Sequence, residues 1–297
     1  MDSKTIAQIA QIASVLEVSG YPKPGNVHRT RDFHDMVFED FLISGIAIGD
    51  TIKESCDNTL KFKDDLSKAN LGKYILKGVR ETDKWIKNNT NLGIVMMIIP
   101  IASAAIFSSN FDDLQINIGK LLENTTVDDA INLYDAIGIA EAGGMGSQDE
   151  YDVTSTNAKE ELIKNNQTMY DVLDISASWD SLAYELTNKM PVTFEIGYPT
   201  FYSLKKDSSI NYSTLMTFLT ILSQVPDTLI SRKYGIEKAE EVSEMALDII
   251  NYDRDKFNKE IKLFDDYLFE NKLNPGTTAD LTAASIMISY LKEEFEK

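Results

Sequence analysis

Cysteine and histidine are almost absent from this chain of 297 residues. Its single cysteine, Cys56, cannot form a disulfide within the chain, and His28 and His34 are its only histidines. These counts exclude a disulfide framework, and no cysteine- and histidine-type metal motif occurs. The Gly-x-Ser-x-Gly elbow and the dinucleotide-binding fingerprint are also missing, which removes the common hydrolase and dehydrogenase classes.

Positive charge is scarce as well. Lys and Arg number 29 against 47 Asp and Glu, so the net charge is −18. Such a surface repels phosphate backbones and anionic lipids, and we therefore expect neither a nucleic-acid partner nor a membrane partner. Because no secretion signal is recognisable, we expect a cytoplasmic location.

Long apolar runs are few. The longest, LGIVMMIIPIASAAIF over residues 92–107, is shorter than the roughly 20 residues that a membrane-spanning helix needs. It predicts a central helix that is buried on all sides. Pro100 within it either kinks this helix or stands in the first turn of its second half.

Helical periodicity is what the sequence has in abundance, and period-two strand patterns are absent. We expect an all-α fold, a single domain over residues 1–297, with roughly ten helices around the buried central helix. Apolar faces left on these helices would allow a homodimer. Besides an N-terminal helix, the predicted helices include residues 36–48, 171–189, 212–224, 236–250, 254–270 and 278–292.

Two capping patterns mark helix ends. Asp35 is placed to cap the helix over residues 36–48. Thr126 and Asp129 form a capping-box pattern, and Gly143-Gly144 would end the helix that follows them.

Both histidines and three cations gather in one loop, YPKPGNVHRTRDFHD. Its prolines and glycine stiffen the backbone, which reduces the ordering cost of binding. Lys23 and Arg29 can donate charge-assisted hydrogen bonds to phosphate, and Asp32 and Asp35 can hold Mg²⁺. The alternative is a solvated loop in which Asp35 only caps a helix.

Two further breaks carry polar groups. NNTNLG stands directly before the apolar run, where free N–H groups and the positive helix end favour an anion. The alternative is simple capping by Thr90 or Asn91. EAGGMGSQDEYDV resembles a phosphate loop without the Lys-Ser/Thr ending. Its Glu150 and Asp152 are candidates for metal ligands or for a general base, but their spacing alone favours solvated acids.

Three side chains are candidates for proton transfer. Glu195, in FEIGYP, has apolar neighbours, so burial would raise its pKa; the alternative is a helix end that turns at Gly197. Asp280, in NPGTTADL, follows Thr277 by three residues and either acts on the ligand or completes a helix start. His34 is either catalytic or a hydrogen-bonding partner of the following helix.

Taken in order, PKPGNVHR, FHDMVFEDF, NNTNLG, FEIGYP and NPGTTADL resemble the motifs of the triphosphoribosyl-dephospho-CoA synthase family. The resemblance spans nearly the whole chain and implies an all-α fold. It implies a reaction that displaces adenine from ATP and joins the triphosphoribosyl group to a ribose hydroxyl of dephospho-CoA. ATP is then a substrate, Mg²⁺ accompanies the triphosphate, and dephospho-CoA or a related compound is the acceptor.

The resemblance also implies a role for each motif residue. The implied catalytic residues are Glu195, His34 and Asp280, and the implied metal ligands are Asp32 and Asp35. The implied nucleotide-binding residues are Lys23, Gly25, Asn26, Arg29, Asn89, Thr90, Asn91, Gly93, Gly197, Tyr198, Asn274 and Gly276.

Some positions depart from the family pattern. The chain has NTNLG where the synthases carry Asn-Thr-His-Lys-Gly, and VTFE where they carry Ala-Arg-Gly-Glu; His28 replaces an Asp. Two cations that would contact the triphosphate are therefore missing. Three alternatives stay open: phosphoribosyl transfer from another donor in methanopterin-type cofactor biosynthesis, magnesium-dependent N-glycosidic hydrolysis of a nucleotide, and a nucleotide-binding module without catalysis.

Overall fold

The computed structural model describes residues 1–140, 153, 155 and 157–297, and these residues form helices and no strand. Gly143-Gly144, Glu150 and Asp152 lie outside the described residues. The α-helices are α1 Ser3–Val18, α2 Phe38–Ala47, α3 Gly49–Lys61, α4 Leu71–Asp83, α5 Leu92–Ala105, α6 Phe111–Glu123, α7 Val127–Ala140, α8 Ala158–Asn165, α9 Met169–Ser176, α10 Ser181–Thr187, α11 Tyr198–Leu204, α12 Ile210–Gln224, α13 Thr228–Tyr234, α14 Ile236–Ile250, α15 Arg254–Glu270 and α16 Gly276–Phe295. A 3₁₀ turn, Leu66–Lys68, and a π-helix, Val192–Gly197, complete them.

The predicted all-α class is confirmed, although the described residues contain more helices than the ten expected. Helices α14 and α15 have the predicted bounds. The continuous helix predicted over residues 171–189 is wrong. Asp180 accepts hydrogen bonds from the N–H groups of Leu182 and Ala183 and starts a new helix, α10.

The helix after the first loop begins later than predicted, and Asp35 does not cap it. Helix α2 starts at Phe38, whose N–H group donates to Asp32 Oδ1 at 2.8 Å. The N–H group of Val37 donates to Asp40 Oδ2 at 3.0 Å. Asp32 and Asp40 therefore cap the start of α2, which is the role that the sequence predicted for Asp35. By contrast, the capping box of Thr126 and Asp129 is present at the start of α7, as predicted.

Helix α5 is the predicted central helix. Every residue of it except Gly93 is buried, and α1, α3, α4, α6 and α16 pack around it. Pro100 lies inside this continuous helix. Because proline has no N–H group, the carbonyl of Met96 lacks its usual helical donor, and α5 nevertheless continues to Ala105. No helix among the described residues is both long and apolar enough to cross a bilayer.

The apolar core has two clusters that share helices. The larger surrounds α5, and the smaller lies between α12, α14 and α15. Helix α12 gives Ile221 to the first and Phe218 to the second, while α16 gives Leu281 to the first and Ala279 to the second. These two helices join the clusters, and the single domain over the whole chain stays a prediction.

A buried aspartate fixes the start of α16 beside α13. Asp227 Oδ1 accepts from the N–H groups of Leu229 and Ile230 at 2.9 and 3.1 Å and so caps α13. Its Oδ2 accepts from the N–H and hydroxyl groups of Thr278 at 2.7 and 2.8 Å. One carboxylate therefore holds two helix N-termini together.

Helices α4 and α7 pack so closely that adding one methyl group, as in a glycine-to-alanine substitution, tests their contact. A Cβ on Gly72 would lie 2.2 Å from the carbonyl oxygen of Asp129 and 2.6 Å from its Cα. Because backbone cannot move aside without shifting α7, we expect Gly72→Ala to lower the free energy of unfolding by about 1–3 kcal/mol.

Gly138→Ala is the matched control, because a Cβ at this exposed position of α7 meets nothing within 4 Å. We expect it to raise the free energy of unfolding by about 0.5–1 kcal/mol. Urea denaturation followed by circular dichroism measures both changes. Equal effects of the two substitutions would contradict the close packing of α4 on α7.

Candidate active site

A cavity of about 510 Å³ opens beside the N-terminal ends of α5 and α16. This volume is in the range of sites that bind small molecules and cofactors. Its polar lining residues are Glu17, Asn26, Asp35, Lys87, Asn88, Asn89, Thr90, Asn91, Ser176, Asp180, Arg232, Lys233, Asn274, Thr277 and Asp280. Its apolar lining includes Phe33, Phe41, Met96, Leu133, Ile137, Val172, Leu173, Trp179, Leu182 and Leu229.

The segment before α5 is a fixed polar wall of this cavity. Asn89 Oδ1 accepts from the N–H group of Leu92 at 3.2 Å, so Asn89 caps α5 and neither Thr90 nor Asn91 does. Thr90 bonds to Ser44 through their hydroxyl groups at 2.5 Å, and Asn91 Nδ2 donates to Thr82 Oγ1 at 2.8 Å. Thr90 and Asn91 are buried and hold the segment in place.

The first turn of α5 has free hydrogen-bond donors at the cavity. The N–H groups of Gly93 and Ile94 have no acceptor among the described residues, and both residues line the cavity. Helix N-termini attract anions because their N–H groups are unpaired and the helix dipole is positive there. This turn can therefore bind an anionic group of a ligand.

Asp280 is the carboxylate that α16 brings to the same place. It packs on Gly93 so closely that a Cβ there would lie 2.0 Å from Asp280 Oδ2. Burial raises the pKa of Asp280 well above its usual value; the charges of Glu17, Asp227 and Asp180 add to this effect, and Lys23 opposes it. No hydrogen bond from another described residue reaches this carboxylate, so Asp280 does not complete a capping box with Thr277. It is free to act on a ligand.

A buried ion pair lies behind Asp280. Lys23 has no exposed surface, and its ammonium group donates to the carboxylate of Glu17, which lines the cavity. Burial raises the pKa of Glu17 and lowers that of Lys23, while each partner's charge opposes the shift of the other. Lys23 itself does not line the cavity. Lys23 therefore pairs with Glu17 and is not positioned to contact a phosphate in the cavity.

Asp265 of α15 organises the rest of the first loop. Its Oδ1 accepts from the N–H group of Gly25 at 3.0 Å, and its Oδ2 lies 3.1 Å from His28 Nε2 and 3.0 Å from Arg31 Nε. Arg29 donates to the carbonyl of Ser19 and to Asn211 on the protein exterior. The cations that the sequence brings together here thus bind the protein itself.

Sequence reasoning missed the cations that do reach the cavity. Arg232 and Lys233 come from the last turn of α13, and Lys87 comes from the segment before α5. Arg232 forms an ion pair with Asp180, yet its buried Nε has no acceptor among the described residues. Lys233 has no ion pair among them, and Lys87 pairs with Asp83 at 2.9 Å. The sequence feature that could have identified them is the pair of adjacent cations, Arg-Lys, shortly before Gly235. In so acidic a chain, two adjacent cations indicate a local basic site.

About half of the predicted site residues meet at the cavity. Those that line it are Asn26, Asp35, Asn89, Thr90, Asn91, Gly93, Asn274, Gly276 and Asp280. Those that do not are Lys23, Gly25, Arg29, Asp32, His34, Glu195, Gly197 and Tyr198. Asn26 Nδ2 donates to Asn274 Oδ1 at 2.9 Å, which joins the first loop to the start of α16 at the cavity wall.

Comparison with known proteins gives the same assignment as the motifs. Residues 3–297 match the family described as ATP:dephospho-CoA triphosphoribosyl transferase. This chain belongs to that family. It is also 27% identical over 141 residues to a probable 2-(5''-triphosphoribosyl)-3'-dephosphocoenzyme-A synthase of Malonomonas rubra. That match covers 46% of this chain and only 43% of the relative's length.

The fold has a counterpart among solved structures. A crystal structure of an Archaeoglobus fulgidus protein, described as a candidate triphosphoribosyl-dephospho-CoA synthase, superposes with a TM-score of 0.63. The superposition covers 80% of this chain and 98% of that protein, with 21% sequence identity. At this identity the likeness concerns the fold alone.

Within this family fold, Glu195 does not have the setting expected from its neighbours. It is exposed on the π-helix Val192–Gly197, outside the cavity lining. The buried carboxyl group nearby is Glu185, which accepts from the N–H groups of Val192 and Thr193 at 2.7 and 2.9 Å. Burial raises the pKa of Glu185 to about 7. The apolar neighbours of Glu195 in sequence therefore do not bury its side chain.

The predicted magnesium ligands do not come together. Asp32 accepts the N–H group that starts α2, and Asp35 lies 3.2 Å from the exposed ring of His34. The described residues contain no group of three acidic, histidine or cysteine side chains able to hold a metal ion. Among the described residues, Asp32 and Asp35 therefore do not form a Mg²⁺ site by themselves.

The buried pair behind Asp280 gives a stability test. Lys23→Met leaves the buried carboxyl of Glu17 without its partner, and we expect it to lower the free energy of unfolding by about 3–5 kcal/mol. The double variant Glu17→Gln/Lys23→Met removes both charges and should lose clearly less. Urea denaturation of both proteins measures the difference. A double variant as unstable as the single one would contradict a charge-based cause.

Proposed function

We propose that this protein transfers the triphosphoribosyl group of ATP to a hydroxyl group of 3'-dephospho-CoA and releases adenine. Family membership over residues 3–297 and a cavity of nucleotide-binding size support this proposal. The comparisons name neither hydrolysis nor another donor, so the alternatives raised by the sequence gain no support.

The observation that carries the proposal is the free carboxyl group of Asp280 at the cavity. In the proposed step the bond from ribose C1′ to adenine breaks, and adenine leaves with the electron pair and takes a proton from water. The acceptor oxygen bonds to C1′, and Asp280 accepts its proton. A raised pKa suits this role because a carboxylate with a higher pKa is a stronger base.

A second part of the cavity suits the triphosphate. Lys233 and Arg232 line the cavity, and so do Gly93 and Ile94, whose N–H groups have no acceptor among the described residues. Cations and helix N-termini are the groups that proteins use to hold phosphates. They replace, in this proposal, Lys23 and Arg29. Any Mg²⁺ would arrive with the triphosphate, and Asp35 is the predicted metal ligand that reaches the cavity.

The test is mass spectrometry of the small molecules after purified protein is incubated with Mg²⁺, ATP and dephospho-CoA. Free adenine together with a triphosphoribosylated product is the expected result. Adenine without that product would show hydrolysis and would overturn the proposal, as would neither product from folded protein.

The role of Asp280 has its own test. We expect Asp280→Asn to reduce kcat at least about 100-fold, because an amide cannot accept the acceptor's proton. Asp207→Asn is the charge-matched control on the protein exterior. Glu195→Gln is tested in the same assay, because the sequence makes both Glu195 and Asp280 candidates for the general base. A large loss in Glu195→Gln with normal turnover in Asp280→Asn would reverse our assignment.

The role of Lys233 is tested by binding. We expect Lys233→Ala to raise KM for ATP about tenfold, because a charge-assisted hydrogen bond to phosphate is lost. Lys63→Ala removes an exposed lysine that does not line the cavity and serves as the control. Equal KM values in the two variants would place the triphosphate elsewhere.

A further inference from the structure

Trp179 lies in the turn between α9 and α10 and lines the cavity with its side chain 38% exposed. Among the described residues its ring has no aromatic or cationic partner, and its indole N–H group has no acceptor. A ligand that covers this ring removes its apolar surface from water, which favours binding. A ligand in the cavity is in position to cover it.

We propose that Trp179 stacks on the adenine ring of a nucleotide bound in this cavity. The proposal rests on the proposed function for the identity of the nucleotides, since both ATP and dephospho-CoA carry adenine. Purine rings stack on tryptophan because both present a flat π face, and such stacking adds appreciably to binding.

The turn that carries Trp179 is fixed before any ligand binds. The N–H group of Trp179 donates to the carbonyl of Ser176 at 3.1 Å. The next residue, Asp180, caps α10 and forms the ion pair with Arg232. Ser181 N–H donates to Thr228 Oγ1 at 3.2 Å, which ties the turn to the start of α13. A preorganised ring loses little freedom on binding, so more of the stacking energy appears as affinity.

The surroundings of Trp179 match the two ends of a nucleotide. Arg232, whose ion pair with Asp180 adjoins Trp179, and Lys233, which has no ion pair among the described residues, are cations that line the same cavity. A flat aromatic surface beside cations suits a ligand with a flat base and an anionic chain. A phosphate alone would use the cations and gain nothing from the indole ring.

Fluorescence tests the stacking directly, because the chain has two tryptophans and Trp85 does not line the cavity. In a Trp85→Phe protein, Trp179 is the only tryptophan. We expect ATP, AMP or dephospho-CoA to quench its emission in a saturable way. Inorganic tripolyphosphate and ribose 5-phosphate, which lack a base, should leave the emission unchanged. No quenching by any adenine compound, or equal quenching by tripolyphosphate, would overturn the proposal.

Kinetics give the second measurement. We expect Trp179→Ala to raise KM for an adenine substrate about tenfold while kcat stays within about twofold, and Trp179→Phe to recover most of the affinity. Trp85→Ala is the matched control, because Trp85 is 70% exposed and away from the cavity. Thermal unfolding of each variant shows that the fold is intact. A wild-type KM in Trp179→Ala would overturn the proposal even if the transfer reaction is confirmed.

The same KM values show which substrate, ATP or dephospho-CoA, supplies the adenine ring that stacks on Trp179. A rise in KM for ATP alone places the donor's adenine on Trp179, and a rise for dephospho-CoA alone places the acceptor's adenine there; either supports the stacking. Saturable quenching by adenine nucleotides in a protein that shows no transfer would overturn the proposed reaction while supporting the adenine site.

Discussion

The contact between Gly93 of α5 and Asp280 of α16 is the constraint on which the site depends. Helix α5 is buried on all sides, so its position is set by the helices packed around it. Helix α16 can bring a carboxylate against it only where a residue without a side chain leaves room. The same contact holds the partly buried carboxylate of Asp280 against the start of α5, where Asp280 lines the cavity. The contact between Gly93 and Asp280 thus belongs both to the packing of the core and to the lining of the site.

The acidic residues of this chain fall into two groups with different tasks. Asp227, Asp265 and Glu185 are buried and accept hydrogen bonds from backbone N–H groups that would otherwise be unpaired. They position α16, the first loop and the π-helix. Asp280 differs because no such donor reaches it among the described residues. Asp280 therefore has a partly buried carboxyl group that the fold does not use and that is available to a ligand in the cavity.

Sequence alone identified the features that depend on local pattern. The all-α class, the buried helix around Pro100 and the bounds of α14 and α15 follow from apolar periodicity and run length. It also selected the polar segments at the starts of α5 and α16. What it could not supply was which charged groups pair and which side chains are exposed. Lys23 has the sequence setting of a phosphate ligand but pairs with Glu17, and Glu195 has apolar neighbours in sequence but is exposed in the structure.

The first loop reaches its partners only at the far end of the chain. Gly25 and His28 bond to Asp265, and Asn26 bonds to Asn274, across 237 to 248 residues of sequence. Contacts between such distant residues form late in folding, because the entropic cost of closing a long loop comes before the contacts that offset it. During synthesis the N-terminal loop therefore exists for a long time without the residues that give it shape. The cavity becomes complete only once α16 is made, so a nascent chain that stops before it lacks the part of the cavity wall that Gly276 and Asp280 form.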